Sequence, residues 1–303
     1  MHTSVLLEES IRYLNLQEDS IIIDCTLGYG GHSSQILKKI PKGFLYAFDQ
    51  DDQAIKNAKK RLEEAGFNFE IIKTNFKNIK EEMNKRKVKV NGILFDLGVS
   101  SPQLDEAERG FSFHKDAALD MRMNQNDQLK ADEVVNNYSY EKLTKIFYRY
   151  GEEKYASSIA EAIVKYRENK RIVTTLELAE IIKNSVPEKY RKKGHPARKV
   201  FQAIRIEVNN ELEVFETALK DALDLLKPKG RICVITFHSL EDRICKQIFN
   251  EVSKVPKELA KLPIIPEAYQ PKFKVVANIV PCEEEILQNP RARSARLRVI
   301  EKM

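Results

Sequence analysis

The segment Asp24-Cys25-Thr26-Leu27-Gly28-Tyr29-Gly30-Gly31-His32 decides the fold class of this chain. It follows a short β-branched run at residues 20–24 and precedes a helical pattern at residues 33–40. A glycine-rich turn between a strand and a helix lets a ligand approach the backbone closely. The segment therefore predicts the first βα unit of an open α/β sheet, with a binding loop at the end of its first strand. A tight turn without a ligand has the same glycines, so the segment alone leaves both interpretations open.

Strand and helix patterns continue to alternate beyond this segment. Apolar runs predict further strands at residues 44–49, 69–73, 93–96 and 232–237, with weaker candidates at residues 272–276 and 295–300. Helical patterns lie between them, the last ending at residues 228–230, and from residue 104 to 206 the patterns are almost entirely helical. Repeated βα units predict an α/β fold with a doubly wound, mostly parallel sheet. We expect this domain to comprise residues 1–104 and 207–303, with an inserted helical domain at residues 105–206.

The composition is typical of a globular intracellular enzyme. The 303 residues are 42% hydrophobic, and 51 Lys and Arg against 45 Asp and Glu give a formal net charge of +6. This excess permits a nucleic-acid partner without requiring one. The sequence has no signal-peptide pattern and no apolar run of membrane-spanning length. Its four cysteines are scattered without a C-x-x-C pair, so we expect a cytoplasmic protein with reduced thiols and no metal site.

The glycine spacing and the acids at the strand ends indicate a nucleoside ligand. A dinucleotide site would need G-x-G-x-x-G to hold a pyrophosphate, whereas the glycines here are compressed to G-x-G-G after Asp24. This spacing suits S-adenosylmethionine, which has no phosphate and carries an amino group that a carboxylate binds. Asp49 ends the second strand, where an acid accepts hydrogen bonds from both ribose hydroxyls. NAD enzymes share this acid, and a helix N-cap for the segment from Asp51 onward is the structural alternative.

Two further polar loops follow predicted strands. Asp96-Leu97-Gly98-Val99-Ser100-Ser101-Pro102-Gln103 combines a carboxylate, two hydroxyls and an amide, which suits a polar pocket better than a core. Amino-methyltransferases place a short polar, proline-containing motif at this point to hold the target amine. Phe237-His238-Ser239-Leu240-Glu241-Asp242-Arg243 follows the fifth strand. His238 is either a base there or, as is more common for a single loop histidine, structural.

Together these segments closely resemble the MraW or RsmH family of small-subunit ribosomal RNA cytosine-N4 methyltransferases. The matching stretches are residues 2–7, 28–33, 48–51, 96–105, 109–113, 119–123, 150–153, 195–203, 237–243 and 289–294, so the resemblance runs nearly end to end. It implies a class I methyltransferase (Rossmann-like) sheet and S-adenosylmethionine as the cofactor. It further implies methylation of a cytidine near the decoding centre of 16S rRNA, in the assembled small subunit.

The resemblance also implies which residues bind the cofactor. The family's contacts correspond to Gly30, Gly31, His32, Asp49, Phe76, Asp96 and Gln103. Phe76 follows the third strand, where an aromatic ring packs against adenine. Without the resemblance, Phe76 would be interpreted as a core residue at the start of a helix.

The chemistry of the target amine suggests the catalytic residues. The exocyclic nitrogen of cytosine is a poor nucleophile because its lone pair is delocalised into the ring. Acceptors on its N–H groups would localise that lone pair as the methyl arrives. We hypothesise that Asp96, Ser100 and Ser101 serve this role. The base must be unpaired or flipped out, and three phenylalanines are candidate stacking walls or core residues: Phe111, Phe113 and Phe237.

Two basic groups are candidates for RNA contact. Candidates for phosphate contact are Arg191, Lys192, Lys193 and Arg198 in the helical insertion, and Arg291, Arg293, Arg296 and Arg298 near the C-terminal end. Tyr190 adds a ring that could stack on a base, although a solvated charged face is the default for such runs. We therefore expect the helical insertion to recognise 16S rRNA. The alternatives are an NAD-dependent oxidoreductase, which would need the spaced fingerprint, and a non-catalytic RNA-binding assembly protein.

Overall fold

The computed structural model describes residues 4–192, 194–256, 258–259, 261 and 265–303, without the side chains of residues 101, 102 and 268. The chain divides into a sheet unit, Met1–Gly98 with Leu212–Met303, and a helical unit, Val99–Glu211. The predicted domain boundaries, 104/105 and 206/207, lie a few residues from those of the two units.

Seven strands of the described residues form one sheet in the sheet unit. They are β1 (Ile21–Asp24), β2 (Phe44–Asp49), β3 (Phe69–Lys73), β4 (Val90–Asp96), β5 (Leu226–Thr236), β6 (Phe273–Ile279) and β7 (Arg296–Lys302). Their order is β3-β2-β1-β4-β5-β7-β6. The first five are parallel, whereas β7 is antiparallel to both of its neighbours. The predicted doubly wound, mostly parallel sheet is confirmed, and both weaker strand candidates are strands.

The central strands are apolar on both faces, as a covered parallel sheet requires. Ile22 and Leu94 belong to one apolar cluster of the sheet unit, whereas Ile23 and Phe95 belong to the other. All four are fully buried. Successive side chains of a strand point to opposite faces, so the uninterrupted apolar runs in the sequence fill two cores at once.

Fourteen α-helices lie in the described part of the chain. They are α1 (Leu7–Leu14), α2 (Gly31–Lys39), α3 (Asp52–Glu63), α4 (Ile79–Arg86), α5 (Ser101–Asp105), α6 (Ala131–Asn137), α7 (Tyr140–Gly151), α8 (Ala156–Arg167), α9 (Thr175–Asn184), α10 (Glu188–Arg191), α11 (Ala197–Asn209), α12 (Glu211–Leu225), α13 (Ser239–Ser253) and α14 (Glu283–Gln288). None of them is long and apolar enough to cross a membrane.

The junction of α12 and β5 differs from the sequence prediction. The predicted helix ended at residues 228–230 and the strand began at residue 232, whereas α12 ends at Leu225 and β5 begins at Leu226 without a loop. Leu226 already pairs with Val90, and the register of β4 and β5 then shifts before Gly92 pairs with Arg231. The proline and glycine therefore mark an irregular start of the strand, where Lys229 has a φ of 62°.

The helical unit has an apolar core of its own, which includes Phe147, Ile159 and Ile204. The end of α7 packs closely on α11, because a Cβ at Gly151 would lie 2.7 Å from the carbonyl oxygen of Lys199. Thr174 caps α9 by accepting the N–H of Glu177. The Glu177 side chain accepts the N–H of Val173, at 2.9 Å.

Candidate functional site

Three aspartates end three neighbouring strands of the sheet unit. Asp24 is the last residue of β1, Asp49 of β2 and Asp96 of β4. Because these strands are parallel, their carboxyl ends share one edge, at the point where the strand order reverses. Burial raises the pKa of all three carboxyls, that of Asp49 to about 6 and that of Asp96 well above its usual range. Desolvated acids at this edge suit a cationic ligand.

Asp24 organises the loop that follows β1. Its side chain is fully buried, with Oδ1 accepting the N–H of Thr26 at 3.0 Å and Oδ2 accepting the hydroxyl of Ser33 at 2.6 Å. Thr26 Oγ1 in turn accepts the N–H of Asp96 at 2.7 Å, which ties the loop to the end of β4. Both oxygens of Asp24 therefore accept hydrogen bonds inside the loop, and its interaction with the amino group of a ligand stays a prediction. Thr26 and Ser33 were not singled out from the sequence.

The glycines of the loop are required by its backbone. Gly28 and Gly30 have φ values of 50° and 74°, which favour glycine, and Gly30 precedes the first turn of α2. Gly31 is required for a different reason, because a Cβ there would lie 1.9 Å from Ser4 Oγ. The N-terminal segment at Ser4 therefore packs directly on the start of α2.

Asp49 connects the end of β2 to the glycine loop. Its Oδ2 accepts the N–H of Gly28 at 2.8 Å, and its Oδ1 accepts the N–H of Asp51 at 2.9 Å. The N-cap of α3 is Asp51, which accepts the N–H of Gln53 at 3.0 Å. Asp51 and not Asp49 is therefore the helix cap, which was the structural alternative for Asp49. The carboxyl of Asp49 lies at the carboxyl-terminal edge of the sheet.

Asp96 lies next to His32. The distance from His32 Nδ1 to Asp96 Oδ2 is 3.5 Å, and the imidazole is 5% exposed. Burial lowers the pKa of His32 to about 4, against a hydrogen bond to the Val5 backbone and with a smaller contribution from the charge of Arg61. The pKa of Asp96 is raised by burial first and then by the negative charges of Asp24 and Glu241. His32 Nε2 and Asp96 Oδ1 are buried and have no hydrogen-bond partner among the described residues.

Phe76 lies in a short 3₁₀ turn, Phe76–Asn78, directly after β3. Its ring is partly buried and packs edge-on against Phe95, with 5.8 Å between the ring centroids. The Nδ2 amide of Asn75 donates to Gln50 Oε1 at 2.9 Å and so links this turn to the end of β2. The exposed part of the Phe76 ring is compatible with the predicted contact to adenine.

His238 is a helix cap. Its imidazole accepts the N–H of Glu241, and the carboxylate of Glu241 accepts the N–H of His238, so both halves of a capping box are present at α13. Glu241 also accepts the N–H of Phe237 at 2.7 Å. This arrangement favours the structural interpretation of His238 over the catalytic one. The ring of Phe237 is half-buried in the sheet unit.

The predicted amine-binding loop crosses from one unit to the other, since Asp96 belongs to the sheet unit and Ser100 to Gln103 belong to the helical unit. Within the helical unit, the N–H of Ser100 donates to Gln103 Oε1 at 3.0 Å, and the N–H of Gln103 donates to Ser100 Oγ at 3.4 Å. These reciprocal bonds stabilise the start of α5. The side chain of Ser101 lies outside the described part of the chain.

The two candidate stacking rings of the helical unit, Phe111 and Phe113, differ in how far they are buried. Phe111 is 5% exposed and belongs to the core. Phe113 is half-buried and stacks on His195, with 4.6 Å between centroids and 21° between the ring planes. Phe111 is therefore a core residue, and of these two rings only Phe113 has an accessible edge.

Tyr190 is an anchor of the basic segment. Its hydroxyl donates to Glu153 Oε2 at 2.6 Å, and Glu153 is fully buried. The other oxygen of Glu153 accepts the N–H of Tyr155 at 2.9 Å, and the Tyr155 and Tyr190 rings lie 4.9 Å apart. The Tyr190 hydroxyl therefore has a structural role, and stacking of its ring on a base stays a prediction. Glu153 was missed as a single residue, although it belongs to the matched stretch 150–153.

The basic residues differ in their exposure and in the hydrogen bonds and ion pairs that they form within the protein. In the first group, Lys192 and Arg198 are exposed, Arg191 donates to the carbonyl of Val186 at 3.1 Å, and Lys193 lies outside the described residues. In the second group, Arg298 forms a bidentate ion pair with Asp242 at 2.7 and 2.9 Å, and Arg296 donates to Asn278 at 2.9 Å. Arg291 and Arg293 are exposed. The exposed members are the candidates for phosphate contact.

Comparison with known proteins identifies the family of this chain. The model of the MraW methylase family matches residues 1–303. Solved structures are similar at low identity. An rRNA methylase from Streptococcus thermophilus is 12% identical, covers 100% of this chain and 99% of its own, and has a TM-score of 0.46. For a putative rRNA methylase from Clostridium thermocellum the values are 14%, 100%, 98% and 0.46. A putative methyltransferase from Streptococcus mutans, in complex with SAH, is 15% identical, with full coverage of both chains and a TM-score of 0.46.

The anchor formed by Tyr190 and Glu153 predicts a stability effect. Tyr190→Phe removes a hydrogen bond to a buried carboxylate, so the free energy of unfolding should decrease by about 1.5–3 kcal/mol. Tyr148→Phe is the matched control, because Tyr148 is 71% exposed, and should change it by less than about 0.5 kcal/mol. Urea denaturation followed by circular dichroism measures both. Equal stabilities of the two variants would show that the anchor contributes nothing.

Proposed function

The chain belongs to the MraW methylase family, and we propose that it methylates the N4 amino group of a specific cytidine in 16S rRNA. It is an S-adenosylmethionine-dependent methyltransferase with a class I, Rossmann-like sheet. The proposed substrate is the decoding-centre region of the small ribosomal subunit, which places the protein in the cytoplasm. The family match over residues 1–303 carries the proposal. It also favours a methyltransferase over an NAD-dependent oxidoreductase.

The residues at the strand ends fit the cofactor. S-adenosylmethionine carries a sulfonium and an ammonium group, and when bound it supplies an electrophilic methyl group. Asp96 Oδ1 is buried and lacks a hydrogen-bond partner among the described residues, which is costly unless a ligand or a proton compensates it. We assign the cofactor to the residues that the sequence indicated: Gly30, Gly31, His32, Asp49, Phe76, Asp96 and Gln103.

Asp49 is suited to bind the ribose. Each of its oxygens accepts one backbone N–H, from Gly28 and from Asp51. The backbone N–H of Gln50 also favours the charged carboxylate, and the acceptor positions that remain on its two oxygens suit ribose hydroxyls. The two backbone bonds also fix the direction of the carboxylate before the ligand arrives, which reduces the entropy lost on binding.

The target amine needs acceptors close to the cofactor. We propose that Asp96, Ser100 and Ser101 accept its N–H groups, because such bonds localise the nitrogen lone pair as the methyl is transferred. The Ser100 hydroxyl is held by Gln103 at the start of α5, which limits the rotamers that it samples. Asp96 supplies the carboxylate that takes the proton of the amine.

The helical unit is proposed to recognise the RNA. Its exposed Lys192 and Arg198 suit phosphate contacts, and the Tyr190 anchor fixes α10, which directly precedes Lys192. The stacked pair of Phe113 and His195 offers an aromatic edge to an unpaired base. Phosphate contacts and base stacking carry little sequence information, so the surrounding subunit structure would supply much of the specificity.

One experiment tests the function directly. The protein is incubated with labelled S-adenosylmethionine and either assembled small subunits or free 16S rRNA, and the labelled nucleotide is mapped. We expect the label on the N4 of a single cytidine in the decoding region, with subunits preferred over free RNA. Label on another nucleotide would contradict the proposed substrate. Subunit binding without methyl transfer would favour the non-catalytic assembly protein.

Asp49→Ala should weaken binding of S-adenosylmethionine. Two ribose hydroxyls lose a charged acceptor, at about 1.5–3 kcal/mol for hydrogen bonds to a charged group. Asp51→Ala is the control, since it removes the cap of α3, at about 0.5–2 kcal/mol of stability, and leaves the ribose acceptor in place. Calorimetric titration measures the affinity and circular dichroism the fold. Unchanged affinity in the Asp49 variant would leave that residue only its role in tying the loop to β2.

Charge removal in the helical unit should weaken subunit binding. The double variant Lys192→Gln/Arg198→Gln removes two exposed charges, so the slope of log K against log[salt] should become shallower by about 1.4 or more. Lys59→Gln/Lys220→Gln is the control, because it removes the same charge from exposed helix positions of the sheet unit. Filter binding at several salt concentrations gives both slopes. Identical slopes would place the RNA contact elsewhere.

Ser100→Ala tests the amine acceptor. We expect the single-turnover rate of methyl transfer to fall about tenfold or more, equivalent to about 1.4 kcal/mol, while both ligands still bind. The assay uses saturating cofactor and subunits, and circular dichroism checks the fold. A parental rate would remove Ser100 from the mechanism and favour backbone carbonyls of the same loop as acceptors.

A further inference from the structure

The side chains of His32 and Asp96 form a buried polar pair whose hydrogen-bonding capacity is only partly used in the protein. Each residue has one buried side-chain atom without a partner among the described residues, His32 Nε2 and Asp96 Oδ1. Their remaining polar atoms face each other, with 3.5 Å between Nδ1 and Oδ2. The pair lies between the first turn of α2 and the end of β4, beside the binding loop.

The groups around the pair disfavour a negative charge on Asp96. Asp24 from β1 and Glu241 from α13 are the acids that raise the pKa of Asp96 after burial itself. Burial keeps His32 neutral at pH 7, the hydrogen bond to the Val5 backbone acts in the opposite direction, and the charge of Arg61 on α3 makes a smaller contribution in the same direction as burial. A neutral imidazole keeps one ring N–H of its own, so the further titratable proton of the pair belongs to the Asp96 carboxyl.

We propose that His32 is a positioning residue for Asp96, and that the Asp96 carboxyl holds a proton in the free protein and releases it when S-adenosylmethionine binds. The positive charges of the cofactor stabilise the ionised carboxylate. The N–H at His32 Nδ1 then donates to Oδ2 and keeps the charged group in place. The inference rests on the proposed function only in taking Asp96 as the acceptor of the amine proton.

In the proposed reaction, Asp96 of this pair accepts the proton that the amine loses. The lone pair of the cytosine N4 forms the C–N bond as the C–S bond breaks, and the electron pair of that bond stays on sulfur. The amine then loses one proton, which the Asp96 carboxylate accepts. Asp96 returns to the neutral state that it has in the free protein, at the moment when the sulfonium charge has disappeared.

Calorimetric titration of the full-length protein, without RNA, tests the release. The heat of binding at pH 7 is measured in phosphate and in Tris, whose ionisation enthalpies differ, and the difference gives the number of protons released. For S-adenosylmethionine we expect up to about one proton per molecule bound. S-adenosylhomocysteine lacks the sulfonium charge and should release fewer. Equal proton counts for the two compounds would overturn the proposal.

Variants locate the proton. Asp96→Asn preserves the shape of the side chain but cannot ionise, so the difference between the two compounds should vanish. His32→Asn retains a donor near the position of Nδ1 and should keep the difference, whereas His32→Phe should reduce it at pH 7 and recover it at higher pH. A parental difference in His32→Phe would overturn the positioning role.

Asp49 is the neighbouring acid whose pKa is raised to about 6, so it is the necessary control. Asp49→Asn should weaken binding but keep the difference between the two compounds. Loss of the difference in Asp49→Asn, and its persistence in Asp96→Asn, would assign the proton to Asp49 and overturn the proposal. Label on an unexpected nucleotide in the mapping experiment would overturn only the proposed substrate, since these titrations contain no RNA.

Discussion

Parallel strands end at a common edge, and this constraint brings Asp24, Asp49 and Asp96 together in the sheet unit. Their burial disfavours the charged form of each carboxyl. The backbone N–H groups of the following loops compensate part of that cost, as they do for Asp24 and Asp49. The edge is therefore built to favour a cation, and the cofactor of a methyltransferase is one.

The three acids have different roles because their hydrogen bonds differ. Both oxygens of Asp24 are used inside the binding loop, so it acts on the fold. Asp49 is fixed by two backbone bonds and keeps acceptor positions for a ligand. Asp96 retains a buried oxygen without a partner among the described residues, beside His32. Chemical activity is expected at Asp96, because a buried carboxylate oxygen without a hydrogen-bond partner is costly in the free protein and a ligand can supply the missing partner.

The helical unit uses buried polar residues to hold exposed ones. Arg109 is 6% exposed and donates to the carbonyls of Arg122 and Met123, at 3.0 and 3.1 Å, which fixes the loop between them. Glu153 does the same for Tyr190 and hence for the segment with Lys192. Several long matched stretches of the sequence are therefore conformational supports. The residues proposed to touch RNA are the exposed side chains that these supports carry.

The sequence by itself determined the βα alternation, all seven strands and the acids that end three of them, because apolar runs and glycine turns are local signals. The contacts of His32 with Asp96 and of Tyr190 with Glu153 were decided by tertiary structure. So were the core position of Phe111 and the direct passage from α12 into β5. A local pattern reports which face of an element is apolar. Which polar atoms meet, and which remain without a partner, depends on how elements far apart in the chain pack, since burial is a property of the assembled fold.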